Sequence, residues 1–236
     1  MSKNKKISIF AGNKCPEHVN ASVRERPENI ETNENTDPGR TRANELISRI
    51  AGILISLTAL CVLSPLIIIL SFLIKVSGKG PVIYSQDRIG KNGKPFVIYK
   101  FRSMVFNAET GLPRLSCSNE ERITRIGKFL RKYRIDEIPN FINVIKGDMS
   151  IVGPRPERKF FIDQIMERNP AFSELLRIKP GITSWGQVKY GYASDVDQML
   201  ERLEYDLYYI KNLSPLLETV VPENQHLPTW YRGFMM

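Results

Sequence analysis

The chain has 236 residues and a formal net charge of +9, long enough for one ordinary domain with appendages and a core that needs no disulfide staples. Its three cysteines, Cys15, Cys61 and Cys117, lie far apart without CxxC spacing, and His18 and His226 are its only histidines. This composition argues against a secreted disulfide framework, a Cys/His zinc site and a His-based catalytic triad.

The charge is concentrated in the middle. Residues 75–160 hold eighteen Lys/Arg against eight Asp/Glu, residues 1–74 hold nine against seven, and residues 161–236 hold seven against ten. Such a segment suits an anionic partner, whether nucleic acid, phospholipid headgroup or phosphorylated substrate.

In chain order, residues 1–44 are polar, punctuated by Pro16, Pro27 and Pro38, and read as a flexible tail without a secretory-signal pattern. Residues 50–74, "IAGILISLTALCVLSPLIIILSFLI", carry no charge. A straight helix of that length reaches about 37 Å, enough for a hydrocarbon core of ~30 Å. Ser64-Pro65 interrupts it, because proline removes an i→i−4 hydrogen bond and bends a helix. The flanks are basic on both sides: Arg42 and Arg49 before, Lys75, Lys79, Arg88, Lys91 and Lys94 after. The positive-inside rule then leaves two topologies open, a kinked span or a re-entrant helix that breaks at Ser64-Pro65 and returns. Both put the basic domain in the cytoplasm.

Beyond the apolar run, β-prone segments at 82–85 and 96–101 around "GKNGKP" predict a hairpin. "NEERITRIGKFLRKY" predicts an amphipathic helix with Ile123, Ile126, Phe129, Leu130 and Tyr133 on one face and cations on the other. "DEIPNFINVIKG" predicts a helix that starts at Asp136 and Glu137, tolerates Pro139 in its first turn and stops at Gly147. "MSIVGPRPE" reads as a short extended piece and a rigid loop, and further helices are expected around 156–168 and 194–212.

Asp136 and Glu137 have two readings. Acids in a first helical turn complement the helix dipole. Alternatively, one carboxylate attacks a substrate while the other holds a metal, with nearby arginines and the helix N-terminus favouring the ionised nucleophile. Cations for phosphate come from three places, "YKFRSM" at 99–104, Arg131, and "GPRP" at 153–156, where flanking prolines fix Arg155. A solvated or lipid-facing basic surface is the plainer alternative. Asp195-Val196-Asp197 matches the DxD of metal-dependent sugar transferases, but Ser194 reads better as an N-cap with acids after it. "KPGITSWGQV" offers a Pro-Gly turn and Gln187, which packs a turn or faces a ligand.

From about residue 46 to 212 these elements resemble the bacterial sugar transferase family, the small monotopic phosphoglycosyl transferases. The resemblance rests on the broken apolar segment, "YKFRSM", "FLRKYRIDEIPNFINVIKGDMSIVGPRPE", "KPGITSWGQV" and "YDLYYIKN". It implies transfer of a sugar 1-phosphate from a UDP-sugar to a polyprenyl phosphate, usually undecaprenyl phosphate, with Mg²⁺. The implied site is at the cytoplasmic face of the bacterial inner membrane, with membrane lipid and downstream glycosyltransferases as partners and no nucleic acid. By match, Asp136 attacks the β-phosphorus and releases UMP, Glu137 helps to hold Mg²⁺, and Lys100, Arg131, Arg155 and Gln187 contact phosphate or nucleotide. The Ser64-Pro65 break implies the re-entrant form.

The expected fold is therefore an α-rich α+β chain. It comprises a tail (1–44), a re-entrant membrane helix (45–76), a catalytic domain with interfacial amphipathic helices and a small β-hairpin (77–212), and an irregular tail (213–236). The sequence departs from the family pattern at Ile138 for Leu, at Asn140 for Gln, in lacking Asp-Pro before the basic helix, and in a C-terminal stretch broken by Pro215, Pro222 and Pro228. There Trp230, Tyr231 and Arg232 are candidates for the membrane interface. Two rival functions remain: a membrane-anchored basic binding module, and a DxD glycosyltransferase that releases UDP.

Overall fold

The computed structural model describes residues 42–109, 113, 115 and 121–212. The expectations for residues 1–41 and 213–236, including Trp230, Tyr231 and Arg232, lie outside the described residues.

Helix α1 (Arg42–Val62) is long and apolar enough to cross a membrane, with a mean hydropathy of 1.8 over residues 45–62. Helix α2 (Ser64–Val76) follows after one residue, with Pro65 in its first turn, where the missing N–H costs least. Ser64 Oγ donates to Cys61 O at 2.8 Å, so a side chain occupies a carbonyl left by the break. Leu54, Val62, Ile68 and Phe72 of this pair are exposed.

Both ends of this helix pair are fastened to the same domain. Arg49 of α1 donates to Val144 O and to Ile145 O (2.7 Å) near the C-terminus of helix α4 (Asn140–Lys146), while Gly52 lies against Val144. At the other end, Arg102 donates to Ile74 O, Gly78 O and Lys79 O at 2.6, 2.8 and 2.7 Å. Leu70 and Ile74 of α2 join a core with Phe101, Leu130 and Ile138.

The hairpin forms from β1 (Ile83–Ile89) and β2 (Pro95–Phe101), antiparallel, with Ile83 opposite Phe101 and Ile89 opposite Pro95. β1 runs past its apolar stretch because Arg88, although charged, finds Glu157 at 3.2 Å inside the fold. Asn92 and Gly93 turn the chain with positive φ, as tight hairpin connections require. A second, parallel pair joins β3 (Ser150–Val152) to β4 (Gly181–Thr183), across helices α5 (Lys159–Arg168) and α6 (Phe172–Leu175). That pair was not expected from the sequence.

Helix α3 (Arg125–Lys132) is shorter than its apolar pattern. Thr124 caps it by accepting from Gly127 N at 2.9 Å, which leaves Ile123 outside the helix, bridged to Met104. Phe129 is 49% exposed rather than on the core face, and its ring meets Tyr133 at 4.8 Å. Helix α7 (Trp185–Lys189) and helix α8 (Val196–Lys211) complete the domain. The cap of α8 is Asp195, not Ser194: Asp195 accepts from Gln198 N at 2.8 Å, and Ser194 donates to Gln198 Oε1 through both N and Oγ. The result is mostly helical, with two small two-stranded sheets.

Candidate active site

After α3, Arg134 takes the left-handed conformation (φ 54°) that helix ends usually give to glycine. Residues Ile135–Glu137 then form a 3-10 turn. Pro139 has no N–H to offer Ile135 O, so Ile138 N donates there instead (3.2 Å) and the turn tightens. The expected helix therefore starts at Asn140, and Asp136 and Glu137 precede it, both buried.

Three segments converge on them. Asn143 of α4 donates through Nδ2 to Val97 O (2.7 Å) and accepts through Oδ1 from Tyr99 N (3.2 Å), pairing with β2 as a strand would. That contact brings the next residue, Lys100, against the turn, where its Nζ donates to Glu137 Oε1 at 2.7 Å. Arg155 reaches the same oxygen at 3.4 Å from the "GPRP" loop. The loop is clamped between β3 and β4: Gly153 N donates to Thr183 O, and Gly181 N to Pro154 O, at 3.0 and 2.9 Å. A Cβ at Gly153 would lie 2.5 Å from Lys179 O, so only glycine permits that approach. Arg131 donates through Nε to Ser103 Oγ at 2.8 Å, and the close approach of α3 depends on Gly127, where a Cβ would lie 1.8 Å from Ser103 O.

The two carboxyls are electrically unequal. Burial opposes ionisation of Glu137, but Lys100, then Arg155 and Arg134, outweigh it and hold the group well below the usual range. For Asp136 the balance is reversed. Burial, then the Glu137 charge, push it up, and Lys100, Arg131 and Arg155 only partly offset them. Nearby cations favour ionised Asp136 as expected, but burial and the Glu137 charge outweigh them, and the acid sits ahead of the helix rather than in its first turn.

Gln187 of α7 is not joined to this group by a hydrogen bond; it is buried, and neither side-chain atom has a partner among the described residues. Its backbone N is bound by Ser184 Oγ at 3.0 Å. Of the Asp195-Val196-Asp197 acids, one caps α8 and the other pairs with Arg168.

A second buried charge network lies behind Arg155. Glu157 receives Arg88 at 3.2 Å and Arg202 at 2.7 Å, and Arg88 also donates to Pro156 O at 3.0 Å. Asp206 accepts from Gly186 N at 2.9 Å, and burial pushes its carboxyl up to about 6. Arg202 and Asp206 thus connect α8 to α7 and to the "GPRP" loop. The sequence reading did not assign Asn143, Glu157, Arg202, Asp206 or Tyr192. Glu157 directly follows "GPRP" and was the most accessible of these; helical spacing gives Asn143 no distinguishing signal.

Among the described residues no cluster of three or more His, Cys, Asp or Glu gathers. Two adjacent carboxylates nevertheless fit Mg²⁺, which commonly takes one or two carboxylates and fills its other positions with water and substrate phosphate.

A buried acid pair is thus ringed by cations from three segments, in a chain that also carries an exposed apolar helix pair. Residues 43–222 match the bacterial sugar transferase family, and the chain belongs to it. It is 44% identical over 175 residues to the UDP-N-acetylgalactosamine-undecaprenyl-phosphate N-acetylgalactosaminephosphotransferase of Aeromonas hydrophila, covering 74% of this chain and 41% of that protein. It is 37% identical over 173 residues to the UDP-glucose:undecaprenyl-phosphate glucose-1-phosphate transferase of Escherichia coli K12, covering 72% and 37%. The undecaprenyl-phosphate galactose phosphotransferase of Salmonella typhimurium is 37% identical over 186 residues, with 72% and 38% covered. The chain thus spans about two fifths of the length of these relatives.

Proposed function

We propose that this chain transfers a sugar 1-phosphate from a UDP-sugar to a polyprenyl phosphate, undecaprenyl phosphate by analogy with its relatives, at the cytoplasmic face of the bacterial inner membrane. The observation that carries the reading is the unequal acid pair. Glu137 collects Lys100 and Arg155 on one oxygen, while Asp136 keeps a raised, more basic carboxyl beside it.

In this reading an Asp136 carboxylate oxygen attacks the β-phosphorus of the donor. The bond from that phosphorus to the bridging oxygen breaks, UMP leaves, and an aspartyl phosphosugar remains. A phosphate oxygen of the lipid then attacks the same phosphorus and releases the Asp136 carboxylate. Lys100, Arg131 and Arg155 offset repulsion between three anions and the charge of the transition state. Glu137 would hold Mg²⁺, which would supply further neutralisation of the diphosphate. The unmatched amide of Gln187 is a buried cost that a nucleotide or phosphate partner would remove.

The membrane part is read as re-entrant. Support comes from the break at Ser64-Pro65 and from the attachment of both ends, through Arg49 and Arg102, to one domain. Exposed Phe129 on basic α3 suits an interfacial helix. The product would be the first lipid-linked sugar of a glycan, consumed by glycosyltransferases that extend it. A DxD glycosyltransferase is disfavoured because both acids serve structure, and a purely electrostatic module does not require a buried acid pair.

Nucleotide analysis separates these readings. Incubation with UDP-sugars, Mg²⁺ and undecaprenyl phosphate is expected to yield UMP. Release of UDP, or of no nucleotide with any donor, contradicts the proposal.

A further inference from the structure

Two left-handed residues lie next in sequence to groups of the site. Gly191 (φ 98°) ends α7 and leads directly into Tyr192, whose side chain remains 54% exposed. Arg134 (φ 54°) ends α3 and leads directly into the acid-bearing turn. Its guanidinium lies over the Tyr192 ring at 5.2 Å, and that of Arg155 lies over the same ring at 5.6 Å. Arg155 in turn touches Glu137.

This arrangement is unusual on three counts. Two like charges share one aromatic ring, although they repel each other. A large tyrosine face is half open to solvent beside buried acids. Arg134 occupies a backbone conformation in which glycine would be less strained, at a helix end that glycine would serve equally well. Helix capping accounts for the conformation but not for the arginine. Strain kept at a site of convergent charge points to a task for the side chain.

We propose that Tyr192 is a positioning residue that holds Arg134 and Arg155 together as a fork for the diphosphate of the nucleotide donor, and that Arg134 belongs to the binding machinery. The inference rests on the proposed reaction and deepens it by adding two residues to the donor site. The ring's negative face lowers the repulsion between the guanidiniums before substrate arrives, so less ordering remains to be done on binding. Arginine suits this task because its planar fork meets phosphate oxygens in pairs.

The test is titration of UDP, with Mg²⁺, into the purified full-length chain in detergent, with thermal unfolding measured alongside. Tyr192→Leu is expected to weaken UDP at least fivefold, and Tyr192→Phe, which keeps the ring, to restore affinity to within about twofold. Arg134→Gly is expected to weaken UDP similarly while leaving Tm unchanged or higher, an outcome that a purely structural arginine would not give. The double variant should lose less than the product of the single losses, because both act through one fork. Wild-type affinity in Tyr192→Leu, or an Arg134→Gly variant that unfolds earlier yet binds UDP normally, overturns the inference. A wild type that binds UDP but releases no UMP contradicts the proposed reaction alone, and the variant affinities still decide the fork. A wild type that binds no UDP overturns both.

Discussion

Burial pushes both of these neighbouring carboxyls up, yet their net shifts run in opposite directions, because the surrounding cations outweigh burial only at Glu137. Glu137 has direct ion pairs, so its ionised form stabilises the fold above the ordinary value of 4.5, and that contribution is lost as pH falls through its depressed folded value. Asp136 is raised from 3.8 by burial and by Glu137. The folded chain holds the Asp136 proton more tightly than the unfolded chain, so this contribution to stability falls as pH rises from 3.8 through the folded value, and the ionised group is destabilising above it. At pH 7, Asp136→Asn is therefore expected to raise Tm and Glu137→Gln to lower it, measured by thermal unfolding at fixed protein and detergent concentration. Removing the charge that Lys100 and Arg155 enclose has the larger effect, because a broken buried pair costs about 3–5 kcal/mol. If Asp136→Asn unfolds earlier than wild type, burial does not govern that carboxyl. Under the proposed reaction, an acid whose removal stabilises the chain would be a trade of stability for activity.

In the proposed topology the α1–α2 pair is the element that sets the position of the site relative to lipid. Its break is local chemistry, Pro65 without an N–H and Ser64 on Cys61 O, while its ends are anchored by long-range bonds from Arg49 and Arg102. A helix pair entering and leaving on one face predicts that Glu45→Cys and Lys79→Cys react with a membrane-impermeant thiol reagent from the same side of inside-out vesicles, in a background with the native cysteines replaced by serine. Opposite-side labelling would make the segment a kinked span. Elements of this kind were readable in the sequence because their signals are local: an uncharged run, a Ser-Pro step, a turn of Gly and Asn between β-prone runs. Helix ends were less so. The tightening at Pro139 moved the start of α4 past the acids, and the one-residue shift from Ser194 to Asp195 at α8 reflects two capable caps side by side.

For the molecule as a whole, the site is assembled from segments far apart in sequence: β2, the turn after α3, the "GPRP" loop and the loop after α7. The cation types and the acid pair were legible because charge stands out in a sequence. Which acid is better compensated was not, because that depends on Asn143 bonding to β2 and on Gly153 letting its loop approach β4. The parallel β3–β4 pair and the Glu157–Arg202–Asp206 network depend equally on tertiary contacts between residues 20 or more positions apart, and no periodicity records them. All of these contacts converge on a claim about one atom pair, a bond between an Asp136 oxygen and a donor phosphorus. Incubating the purified chain with UDP-sugars and Mg²⁺ but no lipid acceptor, followed by intact-protein and peptide mass spectrometry, measures it directly. The expected result is a phosphosugar adduct on Asp136 with one UMP released per chain. An enzyme that turns over with lipid, never carries the adduct, and keeps its full rate as Asp136→Asn would contradict the account.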